Sequence, residues 1–350
     1  MAEIALRDRF DKAVQDFLRE AMPALAAIAD ELGPLAEATE AFLLDGGKRL
    51  RPAFCYWGYR ATAAADGEPI IRAAASLELL QACALVHDDV IDGSDTRRGA
   101  PAVHRRFAAL HRSAAWYGDP ERFGQAAAIL LGDLALIWAD AMLAGSGFDS
   151  PALQRALPVW DAMRVEVMCG QYLDVVEQAR GGGSVERALR VARFKSAKYT
   201  IERPLHLGAV LGGRPDLCDV FSDYGLPLGE AFQLRDDVLG VYGDPDVTGK
   251  PAGDDLREGK RTVLVAYAVE AAGTVQADEL RRRLGDPQLD ADGVTVLREI
   301  IASTGALAKV ETLIDERVVA ALAALQDADI DSIAQTALVD LAETTSRRAV

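Results

Sequence analysis

Apolar residues recur along this chain at spacings of three and four positions, the period of a helix that buries one face. Leu18, Met22 and Leu25 show the spacing near the N-terminus, and Leu77 and Leu80 show it again further on. Alternation of apolar and polar residues, which is typical of half-buried strands, is almost absent. The pattern therefore predicts helices along most of the chain.

Clusters of glycine, proline and aspartate interrupt the helical pattern and predict loops. They divide the chain into roughly ten to twelve helical segments. These clusters lie at residues 45–47, 66–67, 92–93, 117–120, 145–151, 181–183, 212–215, 243–253 and 285–287. We expect a single all-α domain over residues 1–350; two helical subdomains divided near Gly181 are the alternative.

Composition narrows the class of protein. Hydrophobic residues make up 50% of the 350 positions, enough to bury a large core, which excludes disorder as the main state. The net charge of -16 argues against nucleic acid as a partner. The cysteines stand far apart without a nearby histidine, so we expect neither a zinc site nor a disulfide framework. They are Cys55, Cys83, Cys169 and Cys218.

Two features bear on localisation. Residues 1–14 are charged and amphipathic and lack the apolar core of a signal peptide. The longest apolar stretch, residues 125–145, contains Asp133 and Asp140, so we expect a buried helix and not a membrane span. These features predict a soluble, cytoplasmic protein without stable membrane insertion.

Two apolar helical segments each end in carboxylates. In the first, Asp88 and Asp92 are four residues apart, so both side chains leave the same face of a helix. The second ends in Asp236 and Asp237. Like charges so placed repel, and oxygen ligands in small number suit Mg²⁺, which also accepts substrate phosphates. A solvated acidic helix end is the alternative for either cluster taken alone.

Basic residues accompany both clusters. Arg97 and Arg98 follow the first, and the glycine-flanked run of residues 46–52 (GGKRLRP) precedes it. Lys250 and Lys260 follow the second. Arginine binds diphosphate oxygens bidentately and lysine binds them as a point charge. The pattern favours a site for a metal-bound polyanion, although residues 46–52 alone also fit a surface charge run.

The motifs together resemble those of the trans-polyprenyl diphosphate synthases, the head-to-tail prenyltransferases. They are GGKRLRP, DDVID with RRG, GQYLD, FKS and FQLRDD followed by GDP, TGK and EGK, in the order the family has them, over residues 46–260. The resemblance implies an all-α bundle around a central cavity, a homodimer, about three Mg²⁺ ions, and isopentenyl and allylic diphosphates as substrates.

The resemblance also implies residue roles. Asp88, Asp92 and Asp236 would ligate Mg²⁺, and Asp174 would support the ions through water. The residues implied for the diphosphate of isopentenyl diphosphate are Lys48, Arg51, Gln81 and Arg98. Those implied for the allylic diphosphate are Arg97, Lys195, Lys250 and Lys260. Ser196 and Gln233 would lie beside the allylic cation.

This sequence departs from the family pattern at two positions. Gly240 stands where the second acidic motif usually ends in aspartate, and Ser196 stands where threonine is usual. We expect metal binding to survive, because the first aspartate of the motif remains, and the serine keeps the hydroxyl group.

Two other functions share some of these features. A terpene cyclase shares the first acidic motif but uses one diphosphate and has no need of the clamp at residues 46–52. A catalytically silent subunit is expected to have lost carboxylates or clamp residues, and here nearly all persist. His87 and His104 are expected to pack between helices, and Arg347 and Arg348 to form a solvated terminus.

Product length follows from the residues before Asp88. A tail anchored there runs back along the helix, about one turn, ~5.4 Å, for each five-carbon unit. One turn back lie Ala84 and Cys83, both small, where farnesyl-making relatives commonly carry an aromatic; Leu80 lies two turns back. We expect geranylgeranyl diphosphate, ahead of longer products and then farnesyl diphosphate. A cavity floor on another helix is the alternative.

Overall fold

The computed structural model describes residues 2–243, 253–286 and 288–346, and these are almost entirely helical. The α-helices are α1 (Ala2–Ala26), α2 (Gly33–Leu44), α3 (Leu50–Arg60), α4 (Glu68–Asp92), α5 (Val103–Ser113), α6 (Pro120–Ala144), α7 (Ser150–Arg180), α8 (Val185–Val191), α9 (Arg203–Leu211), α10 (Cys218–Tyr242), α11 (Asp254–Arg257), α12 (Val263–Ala271), α13 (Thr274–Arg283), α14 (Ala291–Ser303), α15 (Ala306–Gln326) and α16 (Ser332–Ser346). The all-α prediction is confirmed.

Three other helical segments and one hairpin complete the described elements. Asp30–Leu32 and Pro215–Leu217 are 3-10 helices, and Ala192–Glu202 is a π-helix between α8 and α9. Strands β1 (Thr96–Arg97) and β2 (Ala100–Pro101) pair antiparallel, with Thr96 opposite Pro101. They follow α4 directly and carry one of the basic motifs.

The chain folds into two compact units. The first comprises Met1–Tyr56 and Ala64–Leu153, and the second comprises Trp57–Ala63 and Gln154–Val350. The division falls inside α7, after Leu153. Each unit has its own set of buried apolar side chains.

In the first unit, α4 is the central helix. Fourteen of its 25 residues are buried, including Ile70, Leu77 and Leu79. Glycines let α6 approach its neighbours closely. A side chain at Gly132 would collide with the ring of His87, and one at Gly124 would collide with the backbone of α5. His87 thus packs between helices, as its sequence context predicts.

Helix α6 departs from the expectation that it is buried. It buries one face against α4 and α5, while Ile129, Leu130 and Ile137 are 45%, 62% and 63% exposed on another. Within the described residues, α4 and α6 are long and apolar enough to cross a membrane by length and composition alone, a test that core helices of soluble proteins also pass. In their most apolar windows, 72% of α4 and 44% of α6 are buried.

In the second unit, α10 is the central helix and packs on the π-helix through two glycines. A Cβ atom at Gly229 would lie 2.7 Å from the Cβ of Ala197, and one at Gly225 would lie 2.9 Å from the Cα of Glu202. Larger residues at these two positions would push the backbones apart. The glycines therefore set how closely α10 approaches the segment that carries the FKS motif.

A buried polar network links the π-helix, α9 and α10. Because a guanidinium can only donate, Nδ1 of His206 accepts from Arg203 at 3.2 Å, and its Nε2 donates to Ser222 Oγ at 3.1 Å. The Ser222 hydroxyl in turn donates to Glu202 at 2.8 Å. Burial lowers the pKa of His206 to about 4, in agreement with a neutral imidazole.

Arg49 holds the turn between α2 and α3 to the first unit. Its side chain is 3% exposed, and it donates to Asp11 of α1 at 2.7 Å, to the carbonyl of Leu43 at 2.8 Å and to Glu78 of α4. Glu78 is itself only 6% exposed. Arg49 has a φ of 51°, in the left-handed region. These buried bonds hold that conformation, so Arg49 is structural while its neighbour Lys48 is exposed.

We predict that Arg49→Met lowers the free energy of unfolding by roughly 3–5 kcal/mol, because it leaves the buried Glu78 carboxylate without its cation. Lys48→Met removes the same charge from an exposed neighbour and should change that free energy by less than about 0.5 kcal/mol. Urea denaturation of both variants and the wild type measures the difference. Equal stability of the two variants would contradict the structural role of Arg49.

Candidate active site

The C-terminal turn of α4 presents its carboxylates on two faces. Asp88 and Asp92 are four residues apart on one face, and both are half-buried. Asp89 points elsewhere and is fully buried. Gly93, with a φ of 68°, ends the helix in the left-handed conformation. The structure thus keeps Asp88 and Asp92 together on one half-buried face and gives Asp89 a separate, fully buried environment.

The β1–β2 hairpin returns two arginines to the first unit. Arg98 and Gly99 form its turn, with φ values of 53° and 77°, as a two-residue type I′ connection requires. The side chain of Arg97 forms an ion pair with Asp89, its Nε lying 2.9 Å from Oδ1. Its Nη2 lies 3.8 Å from Oδ2 of Asp88. Arg97 is therefore held beside the first acidic cluster, as the sequence predicts.

Arg98 reaches the turn that precedes the basic run. Its Nη1 donates to the carbonyl of Asp45 at 2.9 Å, and its guanidinium lies 5.5 Å from the centre of the Phe42 ring. A side chain at Gly47, whose φ is 118°, would contact Nη2 of Arg98 at 3.5 Å. The structure thus brings Arg98 to the glycine turn that leads into Lys48 and Arg51.

The face of α4 that carries Asp88 also carries Gln81 and Ala84, both half-buried. Oε1 of Gln81 is buried without a hydrogen bond. Leu80 and Cys83 are fully buried, and the Cys83 thiol lies 3.7 Å from Nδ1 of His87. Burial raises the pKa of Cys83 to about 12, so it is a neutral thiol. Of the three predicted chain-length residues, Ala84 is the one on the accessible face.

In the second unit, Asp174 of α7 and Lys195 of the π-helix form an ion pair, with Nζ 2.7 Å from Oδ2. Gly170, one turn before Asp174, makes this possible. A Cβ atom there would lie 2.7 Å from the Cα of Lys195, so only glycine lets the two helices approach this closely. The GQYLD and FKS motifs, separated in sequence, are joined at this contact. The neighbouring Ser196 is half-buried.

The end of α10 places a second group of carboxylates together. Asp237 is buried and accepts from Nε2 of Gln233, one turn earlier, at 2.7 Å. Burial, which outweighs this hydrogen bond, raises the pKa of Asp237 to about 8, and the charges of Asp255, Asp236 and Asp174 act in the same direction. These carboxylates are close enough to repel one another, so added positive charge would stabilise the cluster.

Lys260 lies at the same cluster. Its Nζ is 2.6 Å from Glu258 and 3.4 Å from Asp255. Gly259, whose φ is 72°, shapes the turn, and its Cβ position lies 2.8 Å from the Cα of Gly285. Lys250, the other predicted cation, lies outside the described residues.

The sequence did not predict the carboxylates that bind the arginines of the site or that lie beside Asp237. Asp89 and Glu78 are the buried carboxylates behind Arg97 and Arg49, and Asp255 is a further carboxylate beside Asp237. For Asp89, the signal was its position one residue from Asp88, which turns it by about 100° around the helix. For Glu78, a charge inside an otherwise apolar helical stretch predicts a buried partner.

The carboxylates suit a hard cation that takes part of its coordination from elsewhere. Among the described residues, no three or more histidine, cysteine, aspartate or glutamate side chains converge to hold a metal by themselves. Mg²⁺ is commonly bound by one or two carboxylates together with water and substrate phosphates. The donor set at Asp88 and Asp92 fits that pattern.

Comparison with known proteins gives consistent matches. The sequence model of the family described as polyprenyl synthetase matches residues 33–301. The geranylfarnesyl diphosphate synthase of Aeropyrum pernix is 35% identical over 270 residues, 75% of this chain and 77% of the relative. The (2E,6E)-farnesyl diphosphate synthase of Mycobacterium tuberculosis is 32% identical over 299 residues, 81% and 78% of the two chains.

Solved structures with a similar fold come from the same kinds of enzyme. A geranylgeranyl pyrophosphate synthase from Corynebacterium glutamicum, complexed with isoprenyl diphosphate and magnesium, superimposes with a TM-score of 0.94 and is 44% identical. The match covers 99% of this chain and 98% of that one. A polyprenyl synthase from Caulobacter crescentus, complexed with calcium and isoprenyl diphosphate, gives a TM-score of 0.75 at 28% identity, covering 98% of each chain.

Proposed function

Because this chain belongs to the polyprenyl synthetase family and is a prenyltransferase, we propose that it condenses isopentenyl diphosphate with allylic diphosphates to an all-trans polyprenyl diphosphate. We propose geranylgeranyl diphosphate as the main product. The observation that carries this proposal is the pair of carboxylate clusters, one in each unit, each held with lysine or arginine. The family match spans both units, which supports a single domain over residues 1–350.

We propose Mg²⁺ as the metal, about three ions per site, held by Asp88, Asp92 and Asp236, with Asp174 supporting through water. Bound Mg²⁺ neutralises charge that develops on a leaving diphosphate. The oxygen-only donors and the repulsion among the second group of carboxylates support this assignment.

Lysine, arginine and glutamine side chains are proposed to bind and orient the two diphosphates. Lys48, Arg51, Gln81 and Arg98 are proposed for isopentenyl diphosphate, and Arg97, Lys195, Lys250 and Lys260 for the allylic diphosphate. Charge-assisted donation from these groups strengthens as the leaving oxygens gain charge. The oxygens of Ser196 and Gln233 are proposed to stabilise the allylic cation.

The reaction needs no protein nucleophile. The allylic carbon–oxygen bond breaks, and its electron pair leaves with the diphosphate. The isopentenyl double bond supplies the electrons of the new carbon–carbon bond, and the proton then lost goes to the released diphosphate. Holding the two partners in contact converts a bimolecular step into one within a single complex. We propose that this takes place in the cytoplasm, where both anionic substrates are dissolved.

We predict that diphosphate release by the wild type requires Mg²⁺ and both substrates together. A terpene cyclase would release diphosphate from the allylic substrate alone, and a silent subunit from neither. Asp88→Ala or Asp92→Ala should lower turnover at least a hundredfold while thermal stability without Mg²⁺ holds or rises slightly, since each removes a like charge.

Asp89→Ala is the matched contrast, because it removes the neighbouring carboxylate that holds Arg97 inside the protein. It should lower the thermal midpoint clearly, whereas Asp88→Ala should not. Turnover of the Asp88 variant near the wild-type rate at saturating Mg²⁺ would exclude the metal assignment.

The two sets of diphosphate-binding residues predict separate effects on the two substrates. Lys48→Ala and Arg51→Ala should raise KM for isopentenyl diphosphate about ten- to a hundredfold, the effect of losing one charge-assisted contact of roughly 1.5–3 kcal/mol. Lys195→Ala and Lys260→Ala should do the same for the allylic substrate. Steady-state kinetics with one substrate saturating separates the two constants. If each variant changed the KM values for both substrates equally, the two sets of residues would be wrongly assigned.

Ala84 is the proposed determinant of product length. Ala84→Phe places a large ring on the accessible face one turn before Asp88 and should shift the main product to farnesyl diphosphate or shorter. Ala84→Ser keeps the size and should keep the product. Cys83→Phe is expected to do the same as Ala84→Phe, with added loss of stability because Cys83 is fully buried against His87. Chromatography of the dephosphorylated products measures the chain length. If both phenylalanine variants make a product of unchanged length, Ala84 does not determine it.

We propose that the protein is a homodimer. Exposed apolar residues follow one stripe of α6, at Ile129, Leu130 and Ile137, and another of α7, at Val165 and Tyr172. Ile137→Glu should therefore halve the mass measured by sedimentation velocity, since a charge would be desolvated at the interface. Val319→Glu, at a position 68% exposed on α15, is the control. A wild type that sediments as a monomer would refute the dimer.

A further inference from the structure

The turn between α5 and α6, residues 114–119, presents two large aromatic side chains to solvent. Trp116 is 48% exposed and Tyr117 is fully exposed, and together they form the aromatic tip. Ala115 and Gly118 on either side have φ values of 50° and 107°. Trp and Tyr join an apolar ring to a polar group, so both are favoured at a boundary between water and an apolar phase. Nothing in the described part of the chain covers the Tyr117 ring.

Contacts with both helices hold the aromatic tip in place. The Trp116 ring packs edge-on against Phe123 of α6, with 5.2 Å between ring centres, and against His111 of α5 at 6.0 Å. Nε2 of His111 donates to the carbonyl of Tyr117 at 3.2 Å, and the N–H of Trp116 donates to the carbonyl of His111 at 3.2 Å. The tip is therefore a preformed surface, which has little ordering to undergo when it binds a partner.

The aromatic tip lies at the end of the first unit that carries the first acidic cluster. Arg105 of α5 binds Asp95, three residues after Asp92, at 2.7 Å, and Glu121 at the start of α6 at 2.6 Å. Asp119, within the turn, accepts from the N–H of Glu121 at 2.9 Å. One arginine thus ties the turn to the segment that follows α4.

Positive charge accompanies the tip, although the net charge of the chain is -16. Residues 103–123 contain four arginines and two carboxylates, Asp119 and Glu121. Arg106 of α5 and Arg122 of α6 are exposed and form no ion pair with the described residues. Arginines beside exposed Trp and Tyr rings suit an anionic lipid surface, where such rings lie at the level of the headgroups.

We propose that the aromatic tip, together with Arg106 and Arg122, docks this protein reversibly on an anionic lipid surface. The choice of a lipid surface rests on the proposed function, because a polyprenyl diphosphate is an amphiphile whose apolar tail partitions into a bilayer. Docking brings the end of the first unit that carries the first acidic cluster to the membrane. The contact is peripheral and uses only the two rings and the arginines.

Flotation of the full chain with vesicles of phosphatidylglycerol and phosphatidylcholine, compared with phosphatidylcholine alone, tests the docking. The wild type should bind the anionic vesicles and dissociate from them at high salt. Tyr117→Ser should weaken this binding about tenfold, as should Arg106→Gln with Arg122→Gln. Ile28→Ser, at another turn of the first unit where the side chain is 74% exposed, is the matched control and should bind as the wild type does.

Trp116 gives a second readout. Its fluorescence emission should shift to shorter wavelength when anionic vesicles are added, and Trp116→Phe, which keeps an aromatic ring, should lose that shift.

Equal binding of Tyr117→Ser and Ile28→Ser would overturn the proposal, as would equal binding of the wild type to both kinds of vesicle. If Tyr117→Ser instead halves the mass measured by sedimentation velocity, the tip belongs to a contact between two copies of the chain and the lipid proposal is wrong. These measurements use no substrate, so their outcome is independent of whether the proposed reaction takes place.

Discussion

Carboxylates gathered at the ends of apolar helices must be matched by positive charge, and most of the site geometry follows from this constraint. Asp89 is buried only with Arg97 beside it, and Asp174 lies against Lys195. Asp88 and Asp92, which are half-buried on another face of α4, are the carboxylates proposed for the metal. The buried ion pairs hold the surrounding helices and hairpin in place.

The helices of the second unit must also approach one another closely, and glycines at the contacts make this possible. Gly170 lets α7 reach the backbone of Lys195, and Gly225 and Gly229 let α10 reach the π-helix. The π-helix itself carries Phe194 to Ser196, and such wide turns are frequent at functional sites because they redirect side chains. The position of Lys195 therefore depends on the backbone of three helices and not on its own rotamer alone.

The basic residues divide between structure and binding in a way that their sequence order conceals. In the run GGKRLRP, Arg49 is buried on Glu78 and Asp11 while Lys48 is exposed. In RRG, Arg97 turns back to α4 while Arg98 reaches the carbonyl of Asp45. Neighbouring arginines and lysines of the same charge thus have different roles. Substitution of the buried ones should lower stability, and substitution of the others should weaken substrate binding.

Sequence alone determined the helical class, the two acidic helix ends and the family, because these depend on local periodicity and on short motifs in a characteristic order. The face shared by Asp88 and Asp92 follows from their spacing of four residues. Tertiary structure decided which charges are buried and which partners they have. The exposed stripe of α6, the burial of Arg49 and the position of Asp255 beside Asp237 all depend on contacts between segments distant in the chain. No local pattern encodes such contacts, since burial and the approach of a charge are properties of the packed chain.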